Sequence, residues 1–127
     1  MKPCLIIGST VCDVIINLPA IPLSAQDTNI YSQTLQIGGG AYNVVSILHH
    51  LSLPYTFLSP VGTGVYGEFV ERELNKTGIT TMIRTDQENG CCYCLVEDSG
   101  ERTFLSYHGA EYTFQKAWTD TLNLSAY

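Results

Sequence analysis

Basic side chains are scarce in this sequence. Lys2, Lys76, Lys116, Arg72, Arg84 and Arg102 are the whole complement against 12 Asp and Glu, giving a formal net charge of -6. They are scattered rather than clustered, so no stretch is built for the phosphates of a nucleic acid or the headgroups of an anionic membrane. Long apolar runs are missing as well. Leu5-Ile6-Ile7 is broken by Gly8, Ser9 and then Asp13, too soon for a bilayer span or a good signal peptide. The five cysteines are an odd number, and Cys91, Cys92 and Cys94 crowd one predicted strand where no ordinary disulfide framework forms. A reducing cytoplasm is the expected setting. With no histidine near them, these thiols also lack tetrahedral zinc spacing and are expected to pack. What is present, 127 residues with 45% apolar and 14% charged side chains, fits one globular core.

Along the chain, elements alternate. Residues 4–8 are continuously apolar until glycine ends them, the pattern of a short buried strand. Residues 13–18 extend until Pro19 and Pro22, and residues 29–37 predict a further strand. A glycine triplet then opens a helix with Ala41, Val44, Val45, Leu48 and Leu51 on one face, while the adjacent His49 and His50 point toward its polar side. After Pro54 the pattern predicts a strand at 55–58, then a helix carrying Phe69, Val70 and Leu74, stopped by Gly78. The β-branched residues 80–84 predict a strand, residues 84–88 a polar turn, and 91–96 with 102–107 a hairpin around Asp98-Ser99-Gly100-Glu101. Strands separated by helices imply a parallel α/β core, and strands joined by turns imply a separate antiparallel flap.

The segment Gly38-Gly39-Gly40-Ala41-Tyr42-Asn43 concentrates the chemistry. Glycines at a strand-to-helix junction let backbone amides reach a ligand, and the helix start adds unpaired N–H donors. Asn43, three residues past Gly40, projects from the same face of the first turn. Asp13 stands at the end of an apolar stretch upstream. A neutral polyol offers no charge, so it is selected by fixed donors and acceptors, and a carboxylate can accept two adjacent hydroxyls. No lysine or arginine lies near Asp13 or the triplet, which favours an unphosphorylated substrate. Each residue also has a plainer use: Asp13 as a turn residue, Asn43 satisfying its own backbone, the glycines packing a helix.

Gly8-Ser9 before Asp13, Gly38-Gly39 ahead of Asn43, Pro60-Val61-Gly62 before Gly67, and Gly100-Glu101-Arg102-Thr103-Phe104 occur in an order that resembles the ribokinase or PfkB family of carbohydrate kinases over the whole chain. The resemblance implies ATP-dependent phosphoryl transfer to a sugar or nucleoside hydroxyl. It implies a ribokinase-like fold, a Rossmann-like parallel core with a small β lid whose strands lie at about 13–18, 29–37, 90–97 and 102–107, and a homodimer through that lid. It places Asp13, Gly39, Gly40 and Asn43 at the sugar, and Cys92, Cys94 and Tyr107 on the lid near it, with His108 a further lid candidate. Val65 replaces an acidic residue common in the family's turn. Gly40 stands where ribokinases have lysine and Val11 where they have asparagine, which implies a sugar other than simple ribose. The family's Gly-Ala-Gly-Asp anion hole, catalytic base and sites for ATP and Mg2+ have no counterpart here. The expectation is therefore an N-terminal portion of a longer kinase, inactive alone.

Two other functions fit parts of the sequence. Gly62-Thr63-Gly64-Val65-Tyr66-Gly67 matches G-x-G-x-x-G, with Asp86 near the distance of a ribose-binding acid, as in an NAD-dependent oxidoreductase. Against this, a complete strand and helix precede the motif. Alternatively Tyr93, Phe104 and Tyr107 on the hairpin would form the partner surface of a non-enzymatic binding or dimerisation module.

Overall fold

Phe57, Leu74, Val45, Val61 and Val70 are almost sealed from solvent, and the elements are arranged around them. The computed structural model describes residues 1–127. In chain order these are β1 (Cys4–Ile7), β2 (Val11–Asn17), β3 (Ser32–Gly38), α1 (Gly40–His50), β4 (Tyr55–Leu58), β5 (Pro60–Thr63), α2 (Gly64–Thr77), β6 (Ile83–Glu88), β7 (Cys91–Val96) and β8 (Arg102–Tyr107). A 3-10 turn at Ala110–Tyr112, the short helix α3 (Ala117–Asp120) and a second 3-10 turn at Leu124–Ala126 follow. No helix is long and apolar enough to cross a membrane.

The first layer is parallel. β1 pairs with β4, from Cys4 with Tyr55 to Ile7 with Leu58, and β5 pairs with β6. Only Ser59 separates β4 from β5. Pro60 has no N–H to give a ladder, so the ribbon changes partner there. Thr81 Oγ1 and Met82 N bond Ser59 O and Phe57 O. These side bonds explain why residues 80–84 are not the strand their β-branching predicts: the strand is shifted to Ile83–Glu88, and the expected polar turn at 84–88 is that strand. Ile83 is its one buried residue, so the alternation that marks a strand is faint.

The helices cover this layer. α2 ends as expected at Gly78, with φ 76°, where Gly78 N bonds Asn75 O and Ile79 N bonds Leu74 O, and the buried Leu74 and Ile79 flank the turn. α1 buries a narrower face than its periodicity suggests. Ala41 and Val45 are inside, but Val44 and Leu51 are exposed, because the helix meets strands on one side alone. His49 is half-buried and bonds Tyr55 Oη through Nδ1 at 2.8 Å, not turned to the polar side.

The second sheet has the order β3-β2-β7-β8. Its outer pairs are antiparallel as the turns imply, but β2 and β7 run parallel, Cys12 beside Cys91 and Asn17 beside Val96, so the flap is mixed. Chain-local turn signals cannot reveal a pairing between residues as distant in sequence as Cys12 and Cys91. One face of the flap, with Cys12, Val14 and Cys91, joins the core, and Tyr93 Oη meets Tyr66 Oη of α2 at 3.2 Å. Fully burying a side chain such as Phe57 contributes about 1.5–3 kcal/mol.

Candidate functional site

Asp13 belongs to the flap face opposite the core. Strand alternation puts it with Gln36, Cys92 and Ser106, its register neighbours across β3, β7 and β8. Gly38 lies against it so closely that a Cβ there would strike the Asp13 carboxylate. Gly39 follows at φ 100°, a left-handed conformation that favours glycine, and a side chain there would meet the backbone of Ser9 and Thr10. The turn is thus folded onto the segment that leads into β2.

The helix start beyond it is open. Gly39 caps α1 with no side-chain hydrogen bond, no acidic residue occupies the first turn, and nothing lies within 4 Å of where a Gly40 Cβ would stand. Asn43 N bonds Gly39 O at 2.9 Å, and the Asn43 side chain is exposed. The ion pairs of the molecule, Lys76 with Glu73, Arg84 with Glu71 and Lys116 with Asp120, leave Asp13 without a cation. Partial burial holds the Asp13 carboxyl above the usual aspartate range. A desolvated carboxylate beside a row of free helix amides offers an acceptor and donors to one neutral, hydroxylated ligand.

The lid candidates separate. Cys92 shares the Asp13 face, half-buried, with its Sγ 3.7 Å from Ser106 Oγ, and Cys94 lies one register step further and is buried. Tyr107 is the register partner of Cys91 and turns to the other face. There it lines a cleft of about 290 Å³ with Gln87, Glu88 and His108, whose ring stacks on Tyr112 at 3.7 Å. Alternation across β8 therefore divides two positions that the sequence reading had placed near one ligand.

The second glycine turn is closed at Gly62 and Gly67. The strand β5, helix α2 and parallel strand β6 do form the unit that G-x-G-x-x-G predicts. However, Gly62 N donates to Asn89 Oδ1 at 2.9 Å, and a Cβ on Gly67 would strike Gly62 O. Asp86 is exposed, with its carbonyl accepting from Thr63 Oγ1 at 3.1 Å. The Gly62 amide is thus taken by the chain itself, while the start of α2, like that of α1, carries no side-chain cap. Asn89 and the buried Glu111 were missed from sequence. Asn89 bonds a backbone amide 27 residues away, and Glu111 bonds one 21 residues away as well as that of the nearby Gly109; no residue pattern announces the distant partners.

The sequence profile described as pfkB family carbohydrate kinase matches residues 1–126. An "Uncharacterized sugar kinase YegV" of Escherichia coli is 32% identical over 95% of this chain and 38% of its own. The fold recurs in the ribokinase of Giardia lamblia, with TM-score 0.83, 22% identity, and coverage of 96% of this chain and 41% of that one. It recurs in Arabidopsis thaliana ribokinase complexed with ribose and ATP, with TM-score 0.73, 16% identity, and coverage of 86% and 36%. The chain spans about two fifths of the length of these relatives.

Proposed function

Because the chain belongs to the pfkB family of carbohydrate kinases, we propose that its 127 residues are the sugar-holding portion of an ATP-dependent kinase. The complete enzyme passes the γ-phosphate of ATP to a hydroxyl of a sugar or nucleoside. The observation that carries this reading is Asp13: a partly desolvated carboxylate with no cation, set against Gly38 beside an uncapped helix start. A carboxylate that has lost water without gaining a partner is suited to two ligand hydroxyls. Gly39 and Gly40 keep the backbone approachable, and Asn43 supplies an amide for a third hydroxyl.

The mixed sheet serves as the lid in this reading, with Cys92 and Cys94 on the sugar side. A homodimer through the lid belongs to the same proposal, with Leu35, Leu105 and Tyr107 exposed on its other face. So does a cytoplasmic setting. ATP and Mg2+ are assigned to parts of the kinase outside these residues. Phosphoryl transfer is accordingly assigned to no residue of this chain, which by itself binds without turning over.

Calorimetry against unphosphorylated sugars, nucleosides and NAD tests the reading. Heat with a sugar or nucleoside that vanishes in Asp13→Ala supports it. Heat with NAD alone overturns it in favour of the Gly62-Gly64-Gly67 turn.

A further inference from the structure

Glu111 is a carboxylate at 4% exposure with no part in the site described above. Both its oxygens are engaged: Oε2 accepts from Gly90 N at 2.7 Å and Oε1 from Gly109 N at 3.1 Å. Those amides mark the root of the lid hairpin, since Gly90 immediately precedes β7 and Gly109 lies just past β8. The two roots touch backbone to backbone. A Cβ on Gly90 would strike Tyr107 O, and one on Gly109 would strike Glu88 O and Gly90 N.

The polar chain continues inward. Asn89, at 2% exposure, accepts from Gly62 N through Oδ1, and its Nδ2 donates to Thr10 O at 3.4 Å. Thr10 Oγ1 pairs with Ser59 Oγ at 2.7 Å, both groups buried. Thr10 stands three residues before Asp13, and its Cα would lie 3.1 Å from a Cβ on Gly39. One run of buried polar groups thus links the hairpin root, the parallel layer and the strand that carries Asp13.

We infer that Glu111 is a positioning residue: it clamps the root of the β7–β8 hairpin and so fixes the angle at which the Asp13 face of the lid meets the glycine turn. Its chemistry suits the task. Both partners are N–H donors, so a carboxylate satisfies them together, whereas a glutamine would turn its own NH2 toward one of them. A buried charge is tolerated only when bonded in this way. That the fixed angle serves sugar binding rests on the function proposed above; the clamp itself does not.

The test is Glu111→Gln in the 127-residue chain, read by residue-resolved amide exchange and by sugar calorimetry. Exchange at Gly90, Gly109 and the lid ladder should quicken by about tenfold or more while Phe57 and Val70 in the core hold their protection, and sugar affinity should fall about tenfold. Glu111→Asp, which keeps the charge on a shorter arm, should recover part of both. Equal acceleration of lid and core, or an unchanged lid, overturns the clamp. If Glu111→Gln does not fold, the unsubstituted chain decides: Gly90 and Gly109 must open together and apart from the core, and independent opening refutes the inference. Asp13→Asn should remove sugar binding and leave Gly90 and Gly109 as protected as before. A chain that binds no sugar sinks the proposed function, while exchange still judges the clamp.

Discussion

Two glycine-rich turns join a strand to a helix in this molecule, and they are used in opposite ways. At Gly38-Gly39-Gly40 the first two glycines pack on Asp13 and on the Ser9–Thr10 backbone, but Gly40 has open space beside it and the Asp13 carboxylate is unpaired. At the second turn Gly62 and Gly67 face inward, where Asn89 holds the Gly62 amide and Gly67 rests on Gly62 O. The pattern of glycines is more regular at the second turn, yet the first is the one left open. A glycine motif is a statement about close approach, and only the neighbours decide whether the approaching group is a ligand or the chain itself.

Substitution should break the two turns unequally. Gly67→Ala and Gly62→Ala place a Cβ onto fixed backbone and should each destabilise by about 3 kcal/mol in chemical denaturation. Asn89→Ala leaves the Gly62 amide buried without an acceptor, and a loss of about 2 kcal/mol is expected in the same measurement. Gly40→Ala should cause no loss, and a gain of about 0.5 kcal/mol is expected, because the helix start has room for the methyl group. Equal losses at Gly40 and Gly62 would erase the contrast.

The smallest effect is on pH dependence. Burial raises the folded-state pKa of Asp13, so the native chain holds this proton more tightly than the unfolded one. Its contribution to stability is greatest below the unfolded aspartate value and declines as pH rises through the raised folded value. Sugar affinity should run the other way, increasing over the same interval as the carboxylate ionises. Paired titrations of the melting temperature and of binding should show these opposite slopes, and Asp13→Asn should flatten both.

Much of this was legible in the residues. The helix that opens after Gly39, the helix stop at Gly78 and the hairpin at 91–107 all rest on local rules of glycine geometry and periodicity. What escaped was non-local or polar. Arg84 to Glu88 looks like a turn because its side chains are mostly wet, and only its pairing with β5 makes it a strand. The parallel alignment of β2 with β7 comes from two distant segments sharing one core face. Tyr107 parts from Cys92 because one residue of register reverses the face. Glu111 bonds backbone, and a bond to backbone leaves no mark on the identity of its partner.

The cysteines of β2 and β7 supply a chemical clock. Burial, with Cys91 and Asp13 adding to it, pushes the Cys12 thiol up to about 12, and Cys91 lies beside it on the same sealed face. Cys12 presents no thiolate to an alkylating reagent at neutral pH, and Cys91 is sealed from the reagent while the strands are joined. Cys4, exposed, and Cys92, on the open face of the same strand pair, remain within reach. The interval between modification of the accessible thiols and of the silent pair therefore times how long β2 and β7 stay together, without any label added to the chain.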